Sequence, residues 1–127
     1  MSAPATPSPR YQLPRTRRLH GSAAFATARE LGRRVVAKCF ILNWLESGRV
    51  PFSRLGVVTS RKVGPAVVRN RARRLLREVF RKHQQALHHP VDLVLVARPS
   101  IAGWRLPEIE REYLTVLRRN ALLARDP

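Results

Sequence analysis

The sequence predicts a small α+β fold: a two-layer sandwich in which a short sheet is covered by helices, with a basic helix at its centre. Three observations support this prediction. The length of 127 residues fits one domain with a single modest core. Apolar residues recur three and four positions apart in two long stretches, which is typical of amphipathic helices. Three shorter stretches alternate or are almost wholly apolar, as strands are.

The N-terminal part of the chain divides into an arm and a helix. Residues 1–16 hold four prolines among Ser, Ala and Thr without a hydrophobic period, which predicts a disordered basic arm. Ser22 is a suitable N-cap and Gly32 a suitable C-terminal stop for a short helix between them. We expect a single domain over residues 17–123, followed by a tail over residues 124–127.

Three strands are expected. Residues 33–45 are expected to form one strand, and from Val35 onward both faces are apolar apart from Lys38 and Asn43, which predicts that the strand is central or covered on both sides. Residues 54–60 alternate and should pair antiparallel with it across an intervening turn. Residues 91–97 are nearly all apolar, which indicates an interior strand.

Two amphipathic helices complete the fold. The central helix should begin after Gly64 and Pro65, because proline fits the first turn of a helix, and should end near residues 88–90. The last helix should follow the loop at residues 99–103 and reach residue 123. The apolar stripe of the central helix consists of Val68, Ala72, Leu75, Leu76, Val79 and Phe80.

The other side of the central helix is basic. At about 100° per residue, five side chains fall within about a third of a turn. These residues, called the basic stripe below, are Asn70, Arg73, Arg74, Arg77 and Arg81. Between residues 61 and 82, nine basic residues accompany one carboxylate, Glu78, so ion pairs within the helix do not neutralise them. Arginine binds phosphate through two parallel hydrogen bonds, and its dominance here favours a nucleic-acid partner.

The composition of the whole chain agrees with this interpretation. Twenty-five Lys and Arg against 8 Asp and Glu give a formal net charge of +17. Such a domain repels itself, and a polyanion would both bind and stabilise it. The carboxylates and the 4 histidines show no metal-binding or catalytic spacing. We therefore expect binding rather than catalysis from the protein's own side chains, and no metal ion held by the protein.

The segment at residues 60–78, SRKVGPAVVRNRARRLLRE, resembles the signature of the bacterial ribonuclease P protein subunit. Further similarity lies in RLGVV at residues 54–58 and DLVLVARP at residues 92–99. Pro65 departs from the family pattern, which has Asn there. The resemblance implies a ribosomal-protein-like fold with the order α-β-β-β-α-β-α and a left-handed crossover at the signature helix. It also implies an activity in which a catalytic RNA, assisted by Mg²⁺, removes the 5′ leader of precursor tRNA.

The resemblance also implies two RNA-contacting regions. The basic stripe and three flanking residues would face RNA, giving the set Lys62, Arg69, Asn70, Arg71, Arg73, Arg74, Arg77 and Arg81. Helical geometry directs Arg69 and Arg71 to the flanks, so bracing the loop or the helix start is the alternative for them. The candidate leader cleft comprises Phe25, Arg29, Lys38 and Asn43. Phe25 either stacks on a leader base or packs in the core.

The implied partners are the ribonuclease P RNA subunit and precursor tRNA, with Mg²⁺ acting through the RNA. We expect a cytoplasmic protein with no membrane association, because the sequence has no spanning helix and no secretory signal. We also expect no obligate protein partner. A structural RNA-binding module such as a ribosomal protein is the alternative, since it would share size, charge and fold. The length of the signature and the aromatic Phe25 favour the ribonuclease P subunit.

Overall fold

The computed structural model describes residue 18, residues 27–28, residues 30–46 and residues 51–123. The predicted arm over residues 1–16 and the tail over residues 124–127 lie outside the described residues. The elements in chain order are β1 (Arg33–Val36), β2 (Phe40–Glu46), β3 (Arg54–Val58), α1 (Ala66–His83), β4 (Val91–Ala97) and α2 (Leu106–Arg119). The α+β prediction is confirmed, and three strands precede the central helix, as the resemblance implies. Within the described residues, no helix is long and apolar enough to cross a membrane.

The four strands form one mixed sheet in the order β1-β2-β4-β3. Strand β2 pairs antiparallel with both β1 and β4, whereas β3 pairs parallel with β4. The predicted antiparallel pair of residues 33–45 and 54–60 is therefore wrong, because β4 inserts between them. Two adjacent parallel strands need a long connection, and helix α1 provides it. The left-handed sense of this crossover stays a prediction.

The predicted strand over residues 33–45 is in fact a hairpin that turns at Lys38 and Cys39. The amide of Ala37 donates to the carbonyl of Phe40 at 2.9 Å across this turn. The hydroxyl of Ser100 donates to the carbonyl of Lys38 at 2.7 Å, from 62 residues away. The turn contains no Gly, Asn or Pro, and contacts distant in sequence hold it in place. Lys38 consequently lies in a turn rather than on a strand face.

Helices α1 and α2 pack on one face of the sheet, where most of the core lies. Helix α1 buries Ala72, Leu76, Val79 and Phe80, and its Val68 and Leu75 pack at the edge of the same core. This is the predicted apolar stripe. Helix α2 contributes Ile109, Tyr113, Val116 and Leu117. On the opposite face, Ala28 and Val94 form a second, smaller cluster.

Helix α1 ends at His83, earlier than predicted. A 3₁₀ turn over Gln84–Ala86 follows, and Leu87 then forms an antiparallel bridge with Leu123. Leu87 is buried in this position. After the 3₁₀ turn the chain returns to the sheet as β4. The bridge between Leu87 and Leu123 holds the segment that connects α1 to β4.

Candidate nucleic-acid interface

The start of helix α1 is set by the Gly64–Pro65 pair. Gly64 has a φ of 143°, a backbone conformation that side chains disfavour, and a Cβ there would lie 3.3 Å from the side chain of Val68. Pro65 is the N-cap residue and provides no side-chain hydrogen bond, and no acidic residue lies in the first turn. The positive end of the helix dipole is therefore not balanced by a nearby side chain of the helix itself.

The basic stripe lines a pocket of about 310 Å³ on the solvent side of helix α1. All five residues predicted for the stripe take part, and one further residue, Arg18, completes the wall. The backbone of Arg18 forms a parallel bridge with Leu55 of β3, the last strand at that side of the sheet. In the sequence, Arg18 lies just after the predicted basic arm, and its proximity to the basic stripe was not predicted. We call this site the basic pocket.

Hydrogen bonds orient some of the arginines in the basic pocket. One terminal nitrogen of Arg73 donates to the hydroxyl of Thr59 at 2.9 Å, and the other donates to the amide oxygen of Asn70 at 2.6 Å. Arg81 forms an ion pair with Glu78 on the same helix. The Nε atoms of Arg18 and Arg81 are buried and have no hydrogen-bond partner within the described part of the chain. Contacts within the protein therefore orient Arg73 and Arg81, while the buried Nε groups of Arg18 and Arg81 stay unpaired within the described residues.

Burial and mutual repulsion disfavour the positive charges that line the basic pocket. Burial lowers the pKa of the Arg77 guanidinium, and the positive charges of Arg18 and Arg73 lower it further. Arg77 nevertheless stays protonated, because an arginine side chain loses its proton only at very high pH. The repulsion among these groups therefore persists in the free protein, and a phosphate group in the pocket would relieve it.

The flanking residues of the predicted RNA-facing set occupy different positions. The guanidinium of Arg71 donates to the backbone carbonyl of Trp104 at 2.8 Å, so it braces the loop before helix α2. Lys62 is exposed in the 3₁₀ turn before helix α1, and Arg69 is half-buried on the first turns of that helix. None of these three residues lines the basic pocket. Of the two alternatives for Arg71, the structure shows the bracing contact.

Of the four candidate leader-cleft residues, the two that the structure describes, Lys38 and Asn43, lie in different parts of the fold. Phe25 and Arg29 lie outside the described residues. Asn43 is 4% exposed in β2, and strand alternation directs it to the sheet face opposite the helices, where Ala28 packs. Lys38 is exposed in the β1–β2 turn, where its amide donates to a carboxylate oxygen of Glu112 on helix α2.

The carboxylates with described contacts have structural partners. Asp92 accepts two hydrogen bonds from Arg54, at 2.9 and 2.8 Å. Glu110 contacts His83 at 2.5 Å and Lys82 at 3.1 Å, joining helix α2 to the end of α1. The hydrogen bond with His83, together with Lys82, lowers the pKa of Glu110 despite partial burial. Within the described residues, no group of three His, Cys, Asp or Glu could hold a metal ion.

Comparison with known proteins gives consistent matches over most of the chain. The family model "Ribonuclease P" matches residues 13–121. The ribonuclease P protein component of Desulfovibrio desulfuricans is 39% identical over 115 residues, which cover 88% of this chain and 88% of the relative. The component of Syntrophomonas wolfei is 31% identical over 109 residues, covering 86% and 91%.

Solved structures agree with these sequence matches. The RNase P protein of Staphylococcus aureus superposes with a TM-score of 0.77 at 25% identity, covering 85% of this chain and 98% of that one. The RNase P protein of Thermotoga maritima gives a TM-score of 0.72 at 26% identity, covering 80% and 96%. The likeness therefore extends over nearly all of the described fold.

Proposed function

The chain belongs to the bacterial ribonuclease P protein family, and from this premise we propose how it serves 5′-leader removal from precursor tRNA. It acts as the protein component of the ribonucleoprotein endonuclease and binds the catalytic RNA. The basic pocket carries this proposal, because it gathers Arg18 and the basic stripe around a space of about 310 Å³, and among them only Arg81 is paired with a carboxylate within the described residues. Such a surface takes a phosphate backbone through charge-assisted hydrogen bonds.

We assign the chemistry of cleavage to the RNA subunit and to Mg²⁺ bound there. The protein contributes positively charged side chains and holds the substrate in position. Guanidinium groups between two RNA molecules lower their mutual repulsion, and holding the substrate beside the reactive groups raises the rate by reducing the entropy lost on reaction. The partners of Asp92 and Glu110 support this division of roles, because both carboxylates hold the fold together.

We assign the 5′ leader of precursor tRNA to the candidate cleft, with Phe25, Arg29, Lys38 and Asn43 as its proposed contacts. Asn43 is the described residue that best supports this assignment, because it is a polar side chain on the sheet face opposite the helices. The site of action is the cytoplasm, where we place the precursor tRNA and the RNA subunit.

The proposal is tested by reconstitution. Precursor tRNA bearing a 5′ leader is incubated at low Mg²⁺ with a bacterial ribonuclease P RNA, with this protein, and with both. We expect slow cleavage by the RNA alone, none by the protein alone, and faster cleavage by the two together. Binding of the RNA without any stimulation would contradict the proposed role, and cleavage by the protein alone would contradict the assignment of the chemistry to RNA.

A further inference from the structure

A second pocket lies away from the basic pocket, between the β1–β2 turn and helix α2. Its volume is about 350 Å³, within the range of small-ligand sites. Lys38 of the turn, Trp104 of the loop and one face of helix α2 line it, and it shares no lining residue with the basic pocket. We call it the Trp104 pocket. It is therefore a surface that the basic stripe does not explain.

Three cations line the Trp104 pocket: Lys38, Arg111 and Arg119. Their side chains form no hydrogen bond or ion pair with any part of the chain that the structure describes. Arg111 and Arg119 lie eight residues apart on helix α2, a little over two turns, so the charge is distributed along the pocket. These groups are available to contact phosphates.

Two carboxylates line the same pocket, and backbone contacts fix their positions. Glu108 accepts a hydrogen bond from the amide of Arg105 at 2.9 Å, and Glu112 accepts one from the amide of Lys38 at 2.9 Å. A bare phosphate would be repelled by these two groups. A nucleobase would not, because a carboxylate accepts hydrogen bonds from exocyclic amino groups such as that of cytosine.

Trp104 supplies a flat aromatic wall with a fixed backbone. Its amide donates to the carbonyl of Ile101 at 3.0 Å, and its carbonyl accepts the hydrogen bond from Arg71 at 2.8 Å. Trp104 is half-buried, packs partly against the core and lines the pocket. An aromatic ring held in this way is a suitable platform for stacking an unpaired base.

We propose that the Trp104 pocket binds a nucleotide of single-stranded RNA, as a contact additional to the basic pocket. The base stacks against the indole of Trp104, a carboxylate accepts a hydrogen bond from its amino group, and the adjoining phosphates contact Arg111, Arg119 or Lys38. Duplex RNA does not fit this description, because its bases are paired and stacked. The inference rests on the proposed function in taking RNA as the partner, and the Trp104 pocket shares Lys38 with the proposed leader contacts.

The first test is binding of a labelled single-stranded pentaribonucleotide of mixed sequence to the full-length protein at fixed salt. Arg119→Gln removes a charge from the pocket, and Arg118→Gln removes the same charge from an exposed neighbouring position outside it. We expect Arg119→Gln to weaken binding by about threefold or more and Arg118→Gln to change it little, because a direct phosphate contact exceeds a distant charge effect. Equal losses in the two variants, or no loss in either, would overturn the inference.

The second test uses tryptophan fluorescence of the same full-length protein. The chain has 2 tryptophans, and Trp44 is 6% exposed within the core. Quenching by the pentaribonucleotide would therefore report on Trp104. We expect quenching that saturates with binding and needs more oligonucleotide in Arg119→Gln. Unchanged emission at saturation would overturn the inference while leaving 5′-leader removal intact, since the oligonucleotide assay contains neither catalytic RNA nor precursor tRNA.

Discussion

At the scale of single residues, Arg77 carries a positive charge that its surroundings in the basic pocket disfavour. It lies on the solvent side of helix α1, half-buried, and both its burial and the neighbouring charges of Arg18 and Arg73 lower its pKa. A charge that the folded protein disfavours contributes little to folding. Its value must lie in an interaction with something else, and the RNA backbone is the partner that the family supplies.

Replacing Arg77 with Gln should weaken RNA binding without unfolding the domain. The plot of log binding constant against log salt should become shallower by about 1, because one phosphate contact is lost. Stability in urea should be unchanged or slightly higher, since a repelled charge is removed. Titration of catalytic RNA at several NaCl concentrations measures the first effect. Arg118→Gln, exposed on helix α2, is the matched control, and an equal change in its salt slope would refute the assignment.

Asp92 is a residue whose charge serves the fold. It is 8% exposed on β4 and accepts two hydrogen bonds from Arg54, the residue opposite it on β3. Asp92→Asn should lower the free energy of unfolding by about 1–3 kcal/mol, because the guanidinium loses a charged partner. Glu46→Gln is the control, because Glu46 pairs with His89 at the surface and should cost under about 1 kcal/mol. Similar urea midpoints for the two variants would contradict this account.

At the scale of elements, helix α1 was predictable and the sheet was only partly so. Both faces of α1 follow from the 3.6-residue period, and the start follows from Gly64 and Pro65. The hairpin at residues 37–39 was not visible, because Arg98 and Ser100 hold that turn from far along the chain. The parallel pairing of β3 with β4 was missed for a similar reason: it depends on the crossover through α1, which residue patterns do not specify.

Gly64 should be required for the geometry at the start of helix α1. Gly64→Ala places a Cβ at a φ of 143° and 3.3 Å from Val68, so we expect a loss of about 1–3 kcal/mol in unfolding free energy. Gly103→Ala is the matched control, because a Cβ there meets nothing within 4 Å. Urea denaturation of both variants measures the difference. Equal stability would mean that the glycine conformation does not constrain the helix start.

The contact between the two helices should depend on pH through Glu110. Hydrogen bonding to His83 lowers the folded-state pKa of Glu110. Its contribution to stability is therefore complete above the unfolded pKa of 4.5 and is lost as pH falls through the folded pKa. Glu110→Gln should therefore be less stable than wild type at neutral pH, with the difference shrinking in acid. Urea unfolding at pH 7, 5 and 3 measures it. Glu30→Gln, an exposed carboxylate, is the control, and a pH-independent difference for Glu110→Gln would contradict the linkage.

At the scale of the whole molecule, the net charge of +17 and the position of the charge together account for function. The sequence predicted the basic stripe in full, because helix geometry alone brings its five residues to one side. It did not predict that Arg18 joins the basic stripe, because Arg18 reaches the basic pocket through a bridge to Leu55, which lies far along the chain. The Trp104 pocket could not be predicted either, because Lys38 contacts Glu112 of helix α2 only when the β1–β2 turn is formed. Long-range contacts therefore set the limit of sequence reasoning here.

The role of the basic stripe can be tested by cleavage of 5′-leader precursor tRNA at low Mg²⁺. Ribonuclease P RNA is combined with two charge-matched variants of this protein. One variant carries Arg74→Gln and Arg77→Gln in the basic stripe, and the other carries Arg33→Gln and Arg118→Gln at exposed positions outside the basic pocket. We expect the stripe variant to stimulate cleavage at least about tenfold less than wild type, corresponding to about 1.4 kcal/mol, and the control to stimulate it as wild type does. Equal stimulation by both folded variants would contradict the role of the basic stripe.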